Sequence, residues 1–115
     1  MDDDARFRAL AVRILTAAGL LIGGEADTYE SGWKAAQALR PGGILVDARL
    51  PDGDGVALAR DLAALSWRPS VVLTSSDADV AAEFAQAHAP GLVFIPKSDL
   101  PDAPLAQLLE HRWQS

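Results

Sequence analysis

The sequence contains no cysteine, which excludes disulfides, thiol nucleophiles and cysteine-ligated zinc. It has only two histidines, His88 and His111, and they fall at no metal-ligand spacing. Positive charge is scarce: ten Lys and Arg stand against sixteen Asp and Glu, for a formal net charge of −6. That balance argues against a nucleic-acid backbone or an anionic membrane as a direct partner. Long apolar runs are missing too, and none approaches the ~20 residues needed to cross a bilayer. The start, Met1-Asp2-Asp3-Asp4, is the opposite of a basic signal-peptide n-region, so the expected location is cytoplasmic. What remains is 115 residues, 50% hydrophobic and 23% charged. That is the make-up of one domain over 1–115, with no repeat, linker or second unit.

Two kinds of segment alternate along the chain. Leu20-Leu21-Ile22, Ile44-Leu45-Val46, Val71-Val72-Leu73 and Leu92-Val93-Phe94-Ile95 are short, apolar and bounded by turn residues. Such runs suit strands buried on both faces. Between them lie helix-periodic stretches. The spacing predicts helices over 4–18 (Phe7, Leu10, Ile14, Ala18), 28–40 (Trp33, Ala36, Arg40), 54–66 (Leu58, Leu62, Leu65), 77–88 (Val80, Phe84, Ala87) and 103–113 (Leu105, Leu108, Leu109). Pro41-Gly42-Gly43 stops the second, and Asp77 and Asp102 are candidate caps for the last two. The order α-β-α-β-α-β-α-β-α implies right-handed crossovers and a parallel sheet covered on both faces.

In an open α/β sheet, ligands gather beyond the carboxyl ends of the strands. Asp47 follows Val46, Thr74-Ser75-Ser76 follow Leu73, and Lys97 follows Pro96. Lys97 is one of only two lysines, the other being Lys34. The acidic start Asp2-Asp3-Asp4 precedes the first helix and belongs at the same rim. A carboxylate at a strand end is partly desolvated and seeks a cation or a proton. Two or three carboxylates with a hydroxyl and an ammonium make a site for Mg²⁺ and a phosphoryl group. Other readings of these residues fit less well. Asp52-Gly53-Asp54-Gly55 lacks the twelve-position ligand pattern of a calcium loop. Gly19, Gly23 and Gly24 do not have dinucleotide-fingerprint spacing. Ser75 with His88 does not make a triad, and Trp33, Trp67 and Trp113 read as packing residues.

The chain resembles the receiver domain of bacterial two-component response regulators over nearly its whole length. Four pieces in order carry the resemblance: Asp2-Asp3, the block Val46-Asp47-Ala48-Arg49-Leu50-Pro51-Asp52-Gly53-Asp54-Gly55, Thr74-Ser75-Ser76, and Phe94-Ile95-Pro96-Lys97. It implies a three-layer flavodoxin-like (CheY-like) parallel sheet of order 2-1-3-4-5. It also implies a phosphoacceptor role: Asp47 takes a phosphoryl group from a sensor histidine kinase, with Mg²⁺ as cofactor. Asp3 and Asp47 become direct metal ligands with the Arg49 carbonyl, and Asp2 acts through water. Lys97, a hydroxyl and the Ala48 N–H contact the phosphoryl oxygens. For the hydroxyl, the 22-residue spacing from Lys97 and the 28-residue spacing from Asp47 favour Ser75, with Thr74 as the alternative. Phe94 is then the switch aromatic, and Pro51 and Gly55 shape the loop. The output is a changed surface of the fourth helix, fifth strand and fifth helix, offered to a downstream protein or a second copy. On this reading the chain is no turnover enzyme beyond its own phosphotransfer and dephosphorylation, and no output domain is expected.

Two departures qualify these expectations. The family's first strand is missing or truncated, with Met1 where its last residue belongs. An upstream start, a strand donated or exchanged by another chain, or a real gap would each account for this, and Asp2 and Asp3 are then expected on a frayed terminus. Pro96 precedes Lys97 and Ser98 follows it, where the family often has Lys-Pro. An aspartyl phosphatase of the haloacid dehalogenase type is disfavoured, because Arg49 stands where that family needs a second Asp. The alternative function is a phosphorylation-independent, receiver-shaped interaction or dimerisation module.

Overall fold

A computed structural model describes residues 1–77, 79–80, 84 and 90–109. Helix α1 spans Ala5–Ala17. The Asp4 side chain starts it by accepting from the N–H groups of Arg6 and Phe7. Helix α2, Tyr29–Leu39, opens with a capping box between Thr28 and Ser31 and ends at Arg40 in the left-handed region, just before Pro41. Strand β1 (Gly43–Asp47) follows. Next come the two-residue strands β2 (Arg49–Leu50) and β3 (Gly53–Asp54), an antiparallel pair turned at Pro51 and Asp52. Asp54 caps α3, Gly55–Ala63. Strands β4 (Ser70–Ser75) and β5 (Leu92–Pro96) complete the sheet. A 3₁₀ helix over Lys97–Asp102 leads to α4, Leu105–Leu109. Most of the helix predicted over 77–88, and the end of the one predicted over 103–113, lie outside the described residues. Asp77 does accept from the Asp79 N–H, as expected of a cap.

The sheet is parallel in the order β1-β4-β5. Successive side chains alternate between its faces, and the two cores follow that alternation. Ile44, Val46, Val71, Leu73 and Leu92 pack with Ala36, Leu58 and Leu62 of α2 and α3. Leu45, Val72 and Ile95 pack with Phe7 and Ile14 of α1 and with Leu105 and Leu109 of α4. This three-layer arrangement is the one the sequence pattern implies. The Trp67 indole N–H donates to the Pro41 carbonyl at 2.8 Å, tying the turn before β1 to the one before β4.

One predicted strand is absent. Leu20-Leu21-Ile22 forms no ladder, and Leu21 is 98% exposed. A strand needs a hydrogen-bonding neighbour, and the sheet position between this segment and β1 is filled only at its end, by Met1. Met1 donates to the Leu45 carbonyl at 2.6 Å, and its own carbonyl accepts from the Asp47 N–H at 2.9 Å. The Asp2 N–H in turn bonds the Ala26 carbonyl at 3.0 Å. Met1 thus occupies the place assigned to the last residue of the family's first strand.

Candidate functional site

The rim is assembled from the ends of three pieces of chain. Asp47 is the last residue of β1 and is buried. Its Oδ1 accepts from the Arg49 N–H at 3.2 Å, and its Oδ2 lies 3.3 Å from Lys97 Nζ. Lys97, directly after β5, also stands 2.9 Å from Oδ2 of Asp2. Asp2 is 2% exposed. It is not on a frayed terminus, contrary to expectation. The Met1 rung fixes the residue before it, the Asp4 N–H donates to its Oδ1 at 2.8 Å, and Arg8 Nη1 donates to its carbonyl at 2.7 Å. Asp3 is exposed, and carboxylate oxygens of Asp2, Asp3 and Asp47 lie within 4.8 Å of one another.

Burial pushes the Asp47 carboxyl above the ordinary carboxylate range, and the Asp2 charge adds to this. The Arg49 N–H and Lys97 pull the other way without prevailing. For Lys97, burial lowers the pKa, but the carboxylates of Asp2 and Asp47 together outweigh it and hold the ammonium above its ordinary value. The three carboxylates offer an all-oxygen donor set, which fits a hard divalent cation such as Mg²⁺.

The raised pKa of Asp47 has a consequence for stability. The folded chain holds this proton more tightly than the unfolded one does. Stability is therefore lost as pH rises from the ordinary value of 3.8 through the raised value. Asp47→Asn is expected to melt higher than the parent at pH 7, and a relief on the order of 1 kcal/mol corresponds to ~4–8 °C. Thermal scans from pH 4.5 to 7 should show the difference growing with pH. A variant that melts lower at pH 7 would contradict the assignment.

The hydroxyls separate by register. Thr74 pairs with Asp47 across β1 and β4. Alternation places it with Val72 on the face that Asp47 shares with Leu45. Its Oγ1 is buried and has no hydrogen-bond partner among the described residues. Ser75 falls on the face of Val71 and Leu73, and its Oγ accepts from the Asp77 N–H at 2.9 Å. Phe94 lies on that second face too, in register with Leu73 and 6.0 Å from Phe84 between ring centroids. The Ala48 N–H, expected to face a phosphoryl oxygen, instead donates to the Thr74 carbonyl at 2.8 Å. It continues the β1–β4 ladder and is already committed.

Gly55 and Pro51 take the places expected of loop-shaping residues. A Cβ on Gly55 would run into the Asp47 carbonyl and the Ala48 backbone, so only glycine lets α3 start this close to the end of β1. Pro51 stands at the β2–β3 turn. Three contacts escaped the sequence reading. The Phe7 ring lies 4.0 Å from Lys97 Nζ, a cation–π contact that walls the ammonium from the α1 side. The Asp52 carboxylate accepts from the N–H groups of Tyr29 and Glu30 at 2.6 and 3.2 Å. This ties the loop after β1 to the start of α2, and the Tyr29 bond leads in lowering the Asp52 pKa. Arg49 pairs with Asp77 at 3.1 Å, linking the loops that follow β1 and β4.

The comparisons with known proteins agree with this geometry. The sequence profile of the response regulator receiver domain matches residues 1–102. The KDP operon transcriptional regulatory protein KdpE of Escherichia coli is 41% identical over 51 residues. That stretch is 44% of this chain and 23% of the regulator's length, so the chain corresponds to only part of that protein. The signal receiver domain of the putative response regulator NarL from Mycobacterium tuberculosis superposes with a TM-score of 0.71 at 26% identity, covering 93% of this chain and 90% of that one. Fold, rim and profile converge, and the chain belongs to the response regulator receiver domain family.

Proposed function

We propose that this chain is a phosphoacceptor of a two-component system, with Asp47 as the residue that carries the phosphoryl group. The observation that supports it most is the meeting of Asp47, Lys97, Asp2 and Asp3 at one rim, from segments far apart in sequence. An Asp47 oxygen attacks the phosphorus of a phosphohistidine on a sensor kinase. The P–N bond breaks, an acyl phosphate forms, and the imidazole leaves with a proton. Asp3, Asp47 and the Arg49 carbonyl would hold Mg²⁺ directly, and Asp2 through water. When bound, the ion offsets negative charge between these carboxylates and the phosphoryl oxygens. Lys97 receives one phosphoryl oxygen as a point charge. The acceptor is regulatory rather than a turnover enzyme. No described helix is long and apolar enough to cross a membrane.

The hydroxyl that meets the phosphoryl group is assigned to Thr74 rather than Ser75. Its support is the shared register and face with Asp47 and the unpartnered buried Oγ1. Drawing Thr74 inward shifts the end of β4 and the Ser75–Asp77 turn, which carries the change to Phe94 and the surface around β5. Thr74→Ala should keep phosphoryl uptake within about tenfold, ~1.4 kcal/mol, yet lose the shift of the Phe94 ring resonances on phosphorylation. Thr74→Ser should retain the shift and Ser75→Ala should leave it intact. If Ser75→Ala abolishes it instead, the assignment to Thr74 is wrong.

The primary test is intact mass after incubation with Mg²⁺ and a small acyl phosphate. One Mg²⁺-dependent phosphoryl addition is expected, and none at saturating donor overturns the reading. The incomplete edge of β1 favours a second reading, a module acting by association without phosphorylation. It requires concentration-dependent sedimentation that a phosphodonor does not alter.

A further inference from the structure

A lysine ammonium has three N–H donors. At Lys97, two carboxylates lie within reach of them, Asp2 Oδ2 at 2.9 Å and Asp47 Oδ2 at 3.3 Å. The Phe7 ring closes a further side, with its centroid 4.0 Å from Nζ. Only 18% of the Lys97 side chain is exposed, so the ring stands where water would otherwise complete the shell of the cation.

The acidic start of the chain builds this contact. The Asp4 N–H donates to Asp2 Oδ1 at 2.8 Å, and the Asp4 carboxylate accepts from the N–H groups of Arg6 and Phe7 at 2.9 and 3.5 Å. Asp2 thus fixes the residue that caps α1, and the cap sets Phe7 in the first turn. A long side chain on a helix leans toward the helix N-terminus, which here is toward the rim. Ring and lysine also share one core. Phe7 packs on the cluster of Val72, Leu100, Leu105 and Leu109, and Leu100 belongs to the 3₁₀ helix that Lys97 begins. Packing therefore sets how the ring meets the ammonium, despite the flexible lysine stem.

A carboxylate in place of the ring would pin the ammonium at one point. A ring face attracts a cation over its whole area and has no point acceptor. During uptake, Lys97 has to pass from the Asp47 carboxylate to a phosphoryl oxygen while keeping Asp2. We propose that Phe7 is a positioning residue for phosphoryl uptake. Its ring holds the Lys97 ammonium within the site and lets it shift from Asp47 to the arriving phosphoryl group. Phe7 acts only through Lys97, and the inference rests on the reading of Asp47 as the phosphoacceptor.

The test measures uptake from a small acyl phosphate at saturating donor and Mg²⁺. Phe7→Leu and Phe7→Met keep apolar bulk and lose the ring face, so each should lower the maximal rate about three- to tenfold. Phe7→Tyr keeps the face and should stay within about twofold of the parent. In a Lys97→Met background, Phe7→Leu should slow uptake no further, because no cation is left for the ring to hold. A second readout needs no phosphate. Ring current should place the Lys97 ε-methylene protons upfield of those of Lys34, the other lysine, in the parent and in Phe7→Tyr, and Phe7→Leu should abolish the displacement. The inference is overturned if both apolar variants match the parent rate, if Phe7→Leu slows the Lys97→Met chain by the same factor as the parent, or if the parent shows no upfield displacement at Lys97. A parent chain that takes up no phosphoryl group overturns the phosphoacceptor reading and this inference with it. The other three results, obtained with parental uptake intact, overturn the role of Phe7 alone.

Discussion

Asp47→Asn is expected to gain no phosphoryl group from a small acyl phosphate under conditions that fully label the parent chain. An amide oxygen is a poor nucleophile, and the substitution also removes one carboxylate of the candidate metal site. The remaining carboxylates do not substitute for it. Asp2 is buried against Lys97, and Asp3 is exposed. The variant should stay folded, since Lys97 keeps Asp2 as its partner at 2.9 Å. Intact mass with and without Mg²⁺ is the readout, and far-ultraviolet circular dichroism checks the fold. Labelling of the variant at the parental rate would move the acceptor away from Asp47.

Lys97→Met is expected to slow phosphoryl uptake by ~10²–10³-fold, the usual cost of deleting one preorganised electrostatic contact to a developing charge. Two further effects follow from the geometry. Asp2 and Asp47 lose the cation between them, so Asp47 keeps its proton to higher pH, and uptake should rise only at more alkaline pH than in the parent. Two buried carboxylates also become uncompensated, at roughly 1–3 kcal/mol. The pH dependence of that loss has a definite sign. Because the Lys97 pKa is raised on folding, its contribution is fully present below 10.5 and fades as pH rises through the raised value. The melting difference between Lys97→Met and the parent should therefore persist through neutral pH and close in strong alkali. Lys97→Arg should recover most of the stability. An uptake rate within tenfold of the parent would remove Lys97 from the site.

How much of this was legible in sequence follows from what each signal encodes. Ile44-Leu45-Val46, Val71-Val72-Leu73 and Leu92-Ile95 were recognisable as strands because continuous burial on both faces demands continuous apolarity. Leu20-Leu21-Ile22 carries the same signature and is not a strand, because apolarity describes a residue's preference and not whether a neighbouring strand is present to pair with it. Helix starts at Asp4, Thr28 and Asp54 were local matters of capping chemistry, and the observed bounds lie within a few residues of the predicted ones. The acidic pair, Asp47 and Lys97 could be placed at one rim because strand ends of a parallel sheet converge. Counting residues favours Ser75, whereas Thr74 is the hydroxyl in register with Asp47. That choice depends on register and on which face a side chain takes, and a shift of one residue reverses it. Nor could the commitment of the Ala48 N–H to Thr74 be read, since it is a bond of the folded ladder. Asp52 at the start of α2 and Phe7 against Lys97 are contacts between distant segments, with no local pattern to announce them. Asp2 was expected to be loose because it lies beside a terminus. Its burial arises from the Met1 rung and from Arg8, which hold that terminus in place.

The account rests on a transferable phosphate being seated on Asp47, between a metal and Lys97. The position of beryllofluoride in a crystal structure grown with Mg²⁺ tests this most directly. The anion should sit on an Asp47 carboxylate oxygen, within hydrogen-bonding reach of Lys97 Nζ and Thr74 Oγ1, with the metal held by Asp3 and Asp47. An anion bound elsewhere at saturating concentration, or an Asp47 carboxylate still engaged only with Arg49 and Lys97, would contradict it.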